Sequence, residues 1–317
     1  MPAPPPPTAV PAGPAAAIEV AKVSKWYGNV VAVNDISFTL GAGITGLLGP
    51  NGAGKSTMLH MLSGFLRPSA GSVRVLGQSA WKNPAIYAQV GLVPEREAVY
   101  PFLTGWEFVR LSARLQGLPD PDAAARRAIA EVDLASAQDR PTGGYSKGMK
   151  QRVKIAAAIV HDPRILVLDE PFNGADPRQR LHMMAMLRRM AAEGRTIVFS
   201  SHILEEVERL AEDVLVIVSG RLAASGDFRE IRRLMIDRPH TFNVRSSDNR
   251  RLAAVLVGVP AVTGVDLEDT RLSVRSSDFG ALTRALAPLA REAGVSLFEV
   301  LPADESLESV FSYLVKR

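Results

Sequence analysis

The stretch "LLGPNGAGKST", residues 47–57, holds the run Gly49-Pro50-Asn51-Gly52-Ala53-Gly54-Lys55-Ser56, which fits the pattern G-x-x-x-x-G-K-[ST]. Three glycines let the backbone curl so that successive N–H groups point at one anion. The pattern predicts a helix that starts there and adds its positive end to the site. Lys55 is then placed to reach the β- and γ-phosphates of a nucleotide, and the Ser56 hydroxyl to ligate Mg²⁺. Ala53 and Thr57 complete the loop.

A phosphate loop needs an acidic partner on a neighbouring strand. "PRILVLDEP" reads as a central strand with nearly continuous apolar character, the signature of a parallel sheet covered on both faces. It delivers Asp169 to a strand end, where it can hold Mg²⁺ directly or through water. Glu170 follows, a carboxylate the metal does not need, and is suited to orient and polarise an attacking water. "RTIVFSSH" is a second buried strand, and His202 lies just past its end, where open α/β sheets place ligand-binding residues. His60, His161, His182 and His240 lack such a position and read as structural.

Further out, "GGYSKGMKQR" (143–152) places Ser146 and Gly148 before an evident helix, "MKQRVKIAAAIVH". A helix start makes a second anion site. A long helical stretch separates it from the first, so one molecule is poorly placed to bring both onto one nucleotide. Two molecules facing head to tail do so twice, by symmetry.

Around these motifs, "IEVAKVSKWYG", "VVAVNDISFTL", "GITGLLG", "GSVRVLG", "QVGLVPE" and "DVLVIVSG" read as strands. "STMLHMLSGFL" reads as the helix after the phosphate loop, ended by Arg67-Pro68, and "RLAASGD" as a turn. Residues 101–160 read as mostly helical. Strands alternating with helices predict a mixed α/β domain on a parallel sheet. A break is expected near Asp237-Arg238-Pro239. Beyond it the order βαββαβ-α predicts a small ferredoxin-like sandwich. It contains a hairpin around Asp269-Thr270 and an amphipathic helix with Phe279, Leu282, Leu286 and Leu289 on one face and Gly294 as its stop. A last helix carries Leu307, Val310, Phe311 and Leu314.

Composition bounds the function classes. The chain has 317 residues, 47% hydrophobic and 22% charged, an ordinary globular make-up, and a mean hydropathy of +0.07 that suits a large buried core. The absence of cysteine excludes disulfides, thiolate zinc sites and cysteine nucleophiles. The net charge of +4 is dispersed, so a nucleic-acid partner is not expected. No apolar run has membrane-spanning length and no secretory signal is evident, so the chain is expected in the cytoplasm. "MPAPPPPTAVPAGPAAA" is low-complexity sequence and reads as a disordered tail, residues 1–16.

Taken in order, these motifs resemble the nucleotide-binding subunit of an ATP-binding cassette (ABC) transporter. "GPNGAGKST" is similar to its Walker A loop, "ILVLDE" to Walker B, and "YSKGM" to the signature motif, usually LSGGQ. "NGADP" resembles the D-loop, with Asp176; His202 resembles the switch histidine; "WYG" resembles the adenine-stacking loop, with Tyr27 as the stacker. The signature departs from the usual form at Tyr145, Lys147 and Met149. This version, and the trailing domain with its "SLESVF" segment, resembles the subfamily that pairs with export-type permeases. "QVGLVPE" resembles the strand leading to the Q-loop, but Glu95 stands where Gln is usual. A carboxylate there is an adequate oxygen ligand for Mg²⁺.

The resemblance implies a cassette over residues 17–235: a RecA-like parallel core, an antiparallel β subdomain and a helical subdomain over about 97–160. An accessory α+β domain follows over 240–317. It implies ATP and Mg²⁺ as ligands, a second copy and an integral membrane permease as partners, and a peripheral position on the cytoplasmic face of the membrane. Soluble cassettes acting on ribosomes or nucleic acid remain an alternative, although they usually carry two cassettes, coiled-coil insertions or zinc cysteines. Intact Lys55, Asp169, Glu170 and His202 argue against a non-hydrolysing cassette, and the signature helix against a nucleotide kinase.

Overall fold

The structure is a computed structural model that describes residues 16–96, 99–227, 231, 240–268 and 270–302. The expected tail up to residue 15, the break at Asp237-Arg238-Pro239, position Asp269 and the last expected helix lie outside the described residues. The chain divides into two compact units between Ala223 and Ala224.

The first unit opens with an antiparallel hairpin, β1 (Ile18–Tyr27) and β2 (Val30–Leu40). β3 (Gly43–Leu48) runs into the phosphate loop and α1 (Lys55–Leu62). β4 (Ala70–Val75), β5 (Gln78–Ser79), α2 (Pro84–Tyr87) and β6 (Val90–Val93) follow. The helical stretch holds α3 (Gly105–Leu115), α4 (Pro121–Glu131) and α5 (Lys147–Ile159). Then come β7 (Ile165–Asp169), α6 (Pro177–Ala192), β8 (Thr196–Ser200), α7 (Leu204–Leu210), β9 (Asp213–Val218) and β10 (Arg221–Gly226), a strand that begins in this unit and runs across the division.

These strands form two sheets. One is antiparallel, in the order β2-β1-β4-β5; the other has six strands, β10-β9-β3-β8-β7-β6, with β9 through β6 parallel. Every residue of β7 and β8 is buried, as a sheet covered on both faces requires. Met58, Leu59 and Leu62 of α1 join Ile18, Val75, Val167, Val198 and Ile217 in one core that spans both sheets. Burying each such side chain contributes roughly 1.5–3 kcal/mol.

Two expectations need correction. The helix after the phosphate loop stops at Leu62, not at Arg67. Ser63 caps it, and Gly64 takes the left-handed conformation (φ 72°) that ends helices. "RLAASGD" is not a turn. Its first six residues form β10, and the turn lies one step earlier, at Ser219-Gly220 (φ 49° and 75°). β10 is an edge strand whose one large apolar residue is Leu222, so it carries too little apolar alternation to be read as one.

The second unit is built from β11 (His240–Ser246), α8 (Asn249–Leu256), β12 (Val262–Leu267), β13 (Leu272–Ser276), α9 (Phe279–Glu292) and β14 (Leu297–Pro302). Its sheet is antiparallel in the order β12-β13-β11-β14, the ferredoxin-like arrangement. Asp248 and Asp278 each cap a helix, accepting from Arg251 N–H (2.9 Å) and Ala281 N–H (2.8 Å). Leu282 and Leu286 are buried with Phe242, Val244, Leu252 and Val274, while Phe279 and Leu289 pack at the margin.

Leu282→Ala is therefore expected to cost about 2–5 kcal/mol within this unit. Thermal unfolding of the full chain should show a lowered midpoint for it, and ATP titration an unchanged affinity.

Candidate functional site

Three parallel strands bring the site together. β3 ends at Leu48, β7 at Asp169 and β8 at Ser200. The ladder registers Leu47↔Ser200 and Asp169↔Ser200 hold these ends level at one edge of the sheet. Open α/β sheets bind ligands at such an edge.

The phosphate loop leaves β3 and opens α1. Gly54 occupies the helix N-cap at φ 105°, with no side-chain cap, so the first-turn N–H groups are left for an anion. A Cβ at Gly54 would stand 2.4 Å from the Ala32 carbonyl oxygen, and one at Gly49 2.3 Å from that of Ile217. Neither position has room for any other residue. The buried Lys55 Nζ donates to Gly49 O (2.7 Å) and Pro50 O (3.2 Å). These are neutral acceptors of its own loop; an incoming phosphate offers the same ammonium a stronger, charged one.

The opposite wall turns on a residue that the motif reading passed over. Ser200 Oγ donates to Asp169 Oδ1 (2.5 Å) and accepts from Glu170 N–H (3.0 Å). One buried hydroxyl thus fixes both acidic residues. Its signal in the sequence was a polar residue closing an otherwise apolar strand. Beneath the turn, Phe172 packs edge-on against Phe199, with ring centroids 5.9 Å apart. Glu170 itself sits at φ 51°, a strained conformation for a residue with a side chain.

The Glu170 carboxyl is pushed up from its usual range by burial, with the Asp169 charge adding to the rise. A hydrogen bond from His202 is the main opposing influence, helped by Lys55. His202 Nδ1 lies 2.8 Å from Glu170 Oε2; toward an ionised carboxylate that nitrogen carries the proton and donates. Ser201 anchors the turn behind His202 by donating to Glu206 Oε2 (2.6 Å).

A cleft of about 380 Å³ opens between the phosphate loop, from Asn51 to Thr57, and the side chains of Glu95, Asp169 and Glu170. Asp169 is buried and has no ion-pair partner among the described residues. Among those residues no group of three or more His, Cys, Asp or Glu is gathered closely enough to hold a metal ion. One buried carboxylate beside a serine hydroxyl fits Mg²⁺, which is usually held by one or two protein oxygens together with substrate phosphates.

Other expected residues stand apart from this cleft. Tyr27 ends β1 opposite Val30, half-exposed, with Lys25 Nζ 5.3 Å from its ring centre. Asp176 caps α6, accepting from Gln179 N–H at 2.8 Å. Ser146 caps α5, accepting from Met149 N–H at 3.2 Å, so the helix starts at Lys147 and Gly148 lies inside its first turn rather than before it. Neither Ser146 nor Gly148 lines the cleft. The Tyr145 side chain is buried against Gly105 and donates to Ala137 O (2.7 Å). Gln151 and Lys154 of α5, unremarked in the sequence, reach the cleft walls.

A glycine loop opening a helix, beside an Asp-Glu pair at the edge of a parallel sheet, defines a phosphate-loop nucleoside triphosphatase. The ABC transporter family model matches residues 33–173. The bacitracin transport ATP-binding protein BcrA of Enterococcus faecalis is 34% identical over 304 residues, 94% of this chain and 96% of its own length. The daunorubicin/doxorubicin resistance ATP-binding protein DrrA of Streptomyces peucetius is 36% identical over 287 residues, 88% of this chain and 86% of its own. A solved ATP-binding subunit of an ABC transporter superposes with a TM-score of 0.62 at 31% identity, covering 68% of this chain and 92% of that one. The chain belongs to the ATP-binding proteins of the ABC transporter family, and it binds and hydrolyses ATP. Among the described residues no helix is long and apolar enough to cross a membrane.

Gly54→Ala tests the close approach of the loop. Backbone strain of about 1–3 kcal/mol is expected to relax the variant's empty loop out of this conformation; restoring it on binding, at 1.4 kcal/mol per decade, should weaken ATP binding about tenfold in a calorimetric titration. The clash with the Ala32 carbonyl adds to that loss.

Proposed function

We propose that two copies of this chain close head to tail around two MgATP and drive a separate integral membrane permease from the cytoplasmic face of the membrane. The observation that carries this reading is the second helix start. Ser146, the exposed N-cap of α5, does not line the chain's own cleft, and its side chain takes only the Met149 amide, which leaves the other first-turn amides for an anion. Facing the cleft of a second copy, they supply donors to its γ-phosphate. Asp176, on the neighbouring turn, lies at the same boundary.

Within one cleft, the loop amides from Gly49 to Thr57 cradle the phosphates, and Lys55 pairs with the β- and γ-phosphates. Ser56 and Asp169 hold Mg²⁺, with the Glu95 carboxylate as a further oxygen donor. When bound, the ion neutralises phosphate charge. Glu170 orients and deprotonates the attacking water, and His202 holds that carboxylate and donates toward the γ-phosphate. Tyr27 offers an exposed ring for the adenine. ATPase chemistry is assigned to residues 17–235, and dimer contact or regulation to 240–317, where no candidate acid, base or ligand cluster stands among the described residues.

An export-type partner is supported by the names of the relatives that match nearly end to end, one for bacitracin transport and one for daunorubicin/doxorubicin resistance. The same names disfavour a soluble cassette acting on ribosomes or nucleic acid. Tyr100 and Phe102 are exposed beyond the Glu95 loop and are the proposed permease-facing aromatics.

The dimer reading is tested by concentration. Specific ATPase activity should rise with the concentration of the chain, or require the permease. A proven monomer with concentration-independent activity would contradict it. Glu170→Gln should slow turnover by about 10²–10⁴-fold while ATP binding persists.

Hydrolysis should also depend on pH in a defined direction. Burial raises the Glu170 carboxyl, so the ionised base is lost on acidification at a pH above that of an ordinary glutamate, about 4.3. His202→Ala removes the bond that opposes this rise. The acid limb of its residual activity should therefore move to still higher pH, as read from a pH profile of kcat/KM, which reports the groups of the free enzyme.

A further inference from the structure

The head of α5 faces the partner in the dimer reading above, but its body touches both walls of its own cleft. Gln151, 5% exposed, donates from Nε2 to the Glu170 carbonyl oxygen at 3.2 Å. Lys154, also 5% exposed and three residues on, donates from Nζ to Pro94 O (2.8 Å), Arg96 O (3.0 Å) and Glu95 O (3.5 Å). A spacing of three puts both side chains on one face of the helix. An ammonium carries three donors, so one lysine can hold a whole loop of carbonyls. On its other side the helix is fixed by Arg152 Nη1, which donates to Asp133 O (2.7 Å) and Val132 O (3.2 Å).

We propose that Gln151 and Lys154 are positioning residues for ATP hydrolysis. They tie the Ser146 end of α5 to the Glu170 turn on one wall and the Glu95 loop on the other. A partner nucleotide arriving at Ser146 and Gly148 then bears, through one rigid helix, on the water-activating carboxylate of the same subunit. Glu170 is suited to receive such a tie. Its carbonyl and its carboxylate hang from one Cα held at φ 51°, so a pull on the first turns the second. Lys154 delivers the same displacement to the loop carrying Glu95, across the cleft. The inference rests on the dimer reading and adds to it a physical route between the two sites.

The test uses the full chain at concentrations, or with the permease, where wild-type hydrolysis is sigmoidal in ATP. Lys154→Met and Gln151→Met are each expected to lower kcat about tenfold, as loss of a buried hydrogen bond of this kind allows. KM for MgATP and equilibrium ATP binding should stay near wild type, and the sigmoidal dependence should flatten. Lys154→Arg, which keeps the donors, should restore most of kcat. If Lys154→Met does not accumulate as folded protein, Gln151→Met breaks the other tie and carries the same expectation. Variants with wild-type kcat and cooperativity, a change confined to KM, or an Arg variant no better than Met would each overturn the inference. A wild-type chain that hydrolyses ATP as a monomer removes the dimer reading and this inference with it. A cooperative wild type with unaffected variants removes this inference alone.

Discussion

The phosphate loop must pass so close to its neighbours that no Cβ fits at two of its corners. At Gly54 the obstacle is the Ala32 carbonyl on β2, and at Gly49 it is the Ile217 carbonyl on β9. The loop is therefore wedged between the antiparallel and the parallel sheet, and the core that joins those sheets also holds the anion site in shape. A flexible loop would lose conformational freedom on binding phosphate; this one has already given it up on folding. The uncapped head of α1 follows from the same wedge, because a side chain at the N-cap would both clash and compete for the amides.

On the facing wall, one hydroxyl organises two carboxylates of different character. Asp169 is buried with Ser200 as donor, a state suited to a cation. Glu170 is lifted toward the neutral form by burial and held back by His202, a state suited to taking a proton from water. Adjacent residues thus have separate electrostatic environments because the chain turns sharply between them, at the strained Glu170 backbone. Strain at a site of this kind persists only where packing over-determines it, and the Phe172–Phe199 contact supplies that packing.

The helical stretch has a second set of fixed points. Tyr145, where leucine is usual in the family motif, is accommodated because Gly105 leaves room and Ala137 O accepts its hydroxyl. Directly after it, Ser146 caps α5, and the helix then runs beneath the cleft with Gln151 and Lys154 bonded to both walls. The site is thus supported by a helix whose exposed N-cap, Ser146, does not line the cleft.

The order of elements, the apolar runs of β7 and β8, the phosphate loop and the Asp169-Glu170 pair were legible from sequence alone. So was the βαββαβ order of the second unit, in the residues described. These are local signals: glycine spacing and hydrophobic period act within a few residues of one another. Two local readings failed for want of such signal. The edge strand β10, with Leu222 as its one large apolar residue, looked like a turn, and the stop at Gly64 was hidden inside an apolar run. Ser200, Gln151 and Lys154 acquire their roles from contacts 19 to 60 residues away in the chain, and only folding chooses those partners. The lift in the Glu170 carboxyl belongs to the same class. Burial and neighbouring charge are properties of the space around a group, and the sheet register, which sets Asp169 level with Ser200, creates that space.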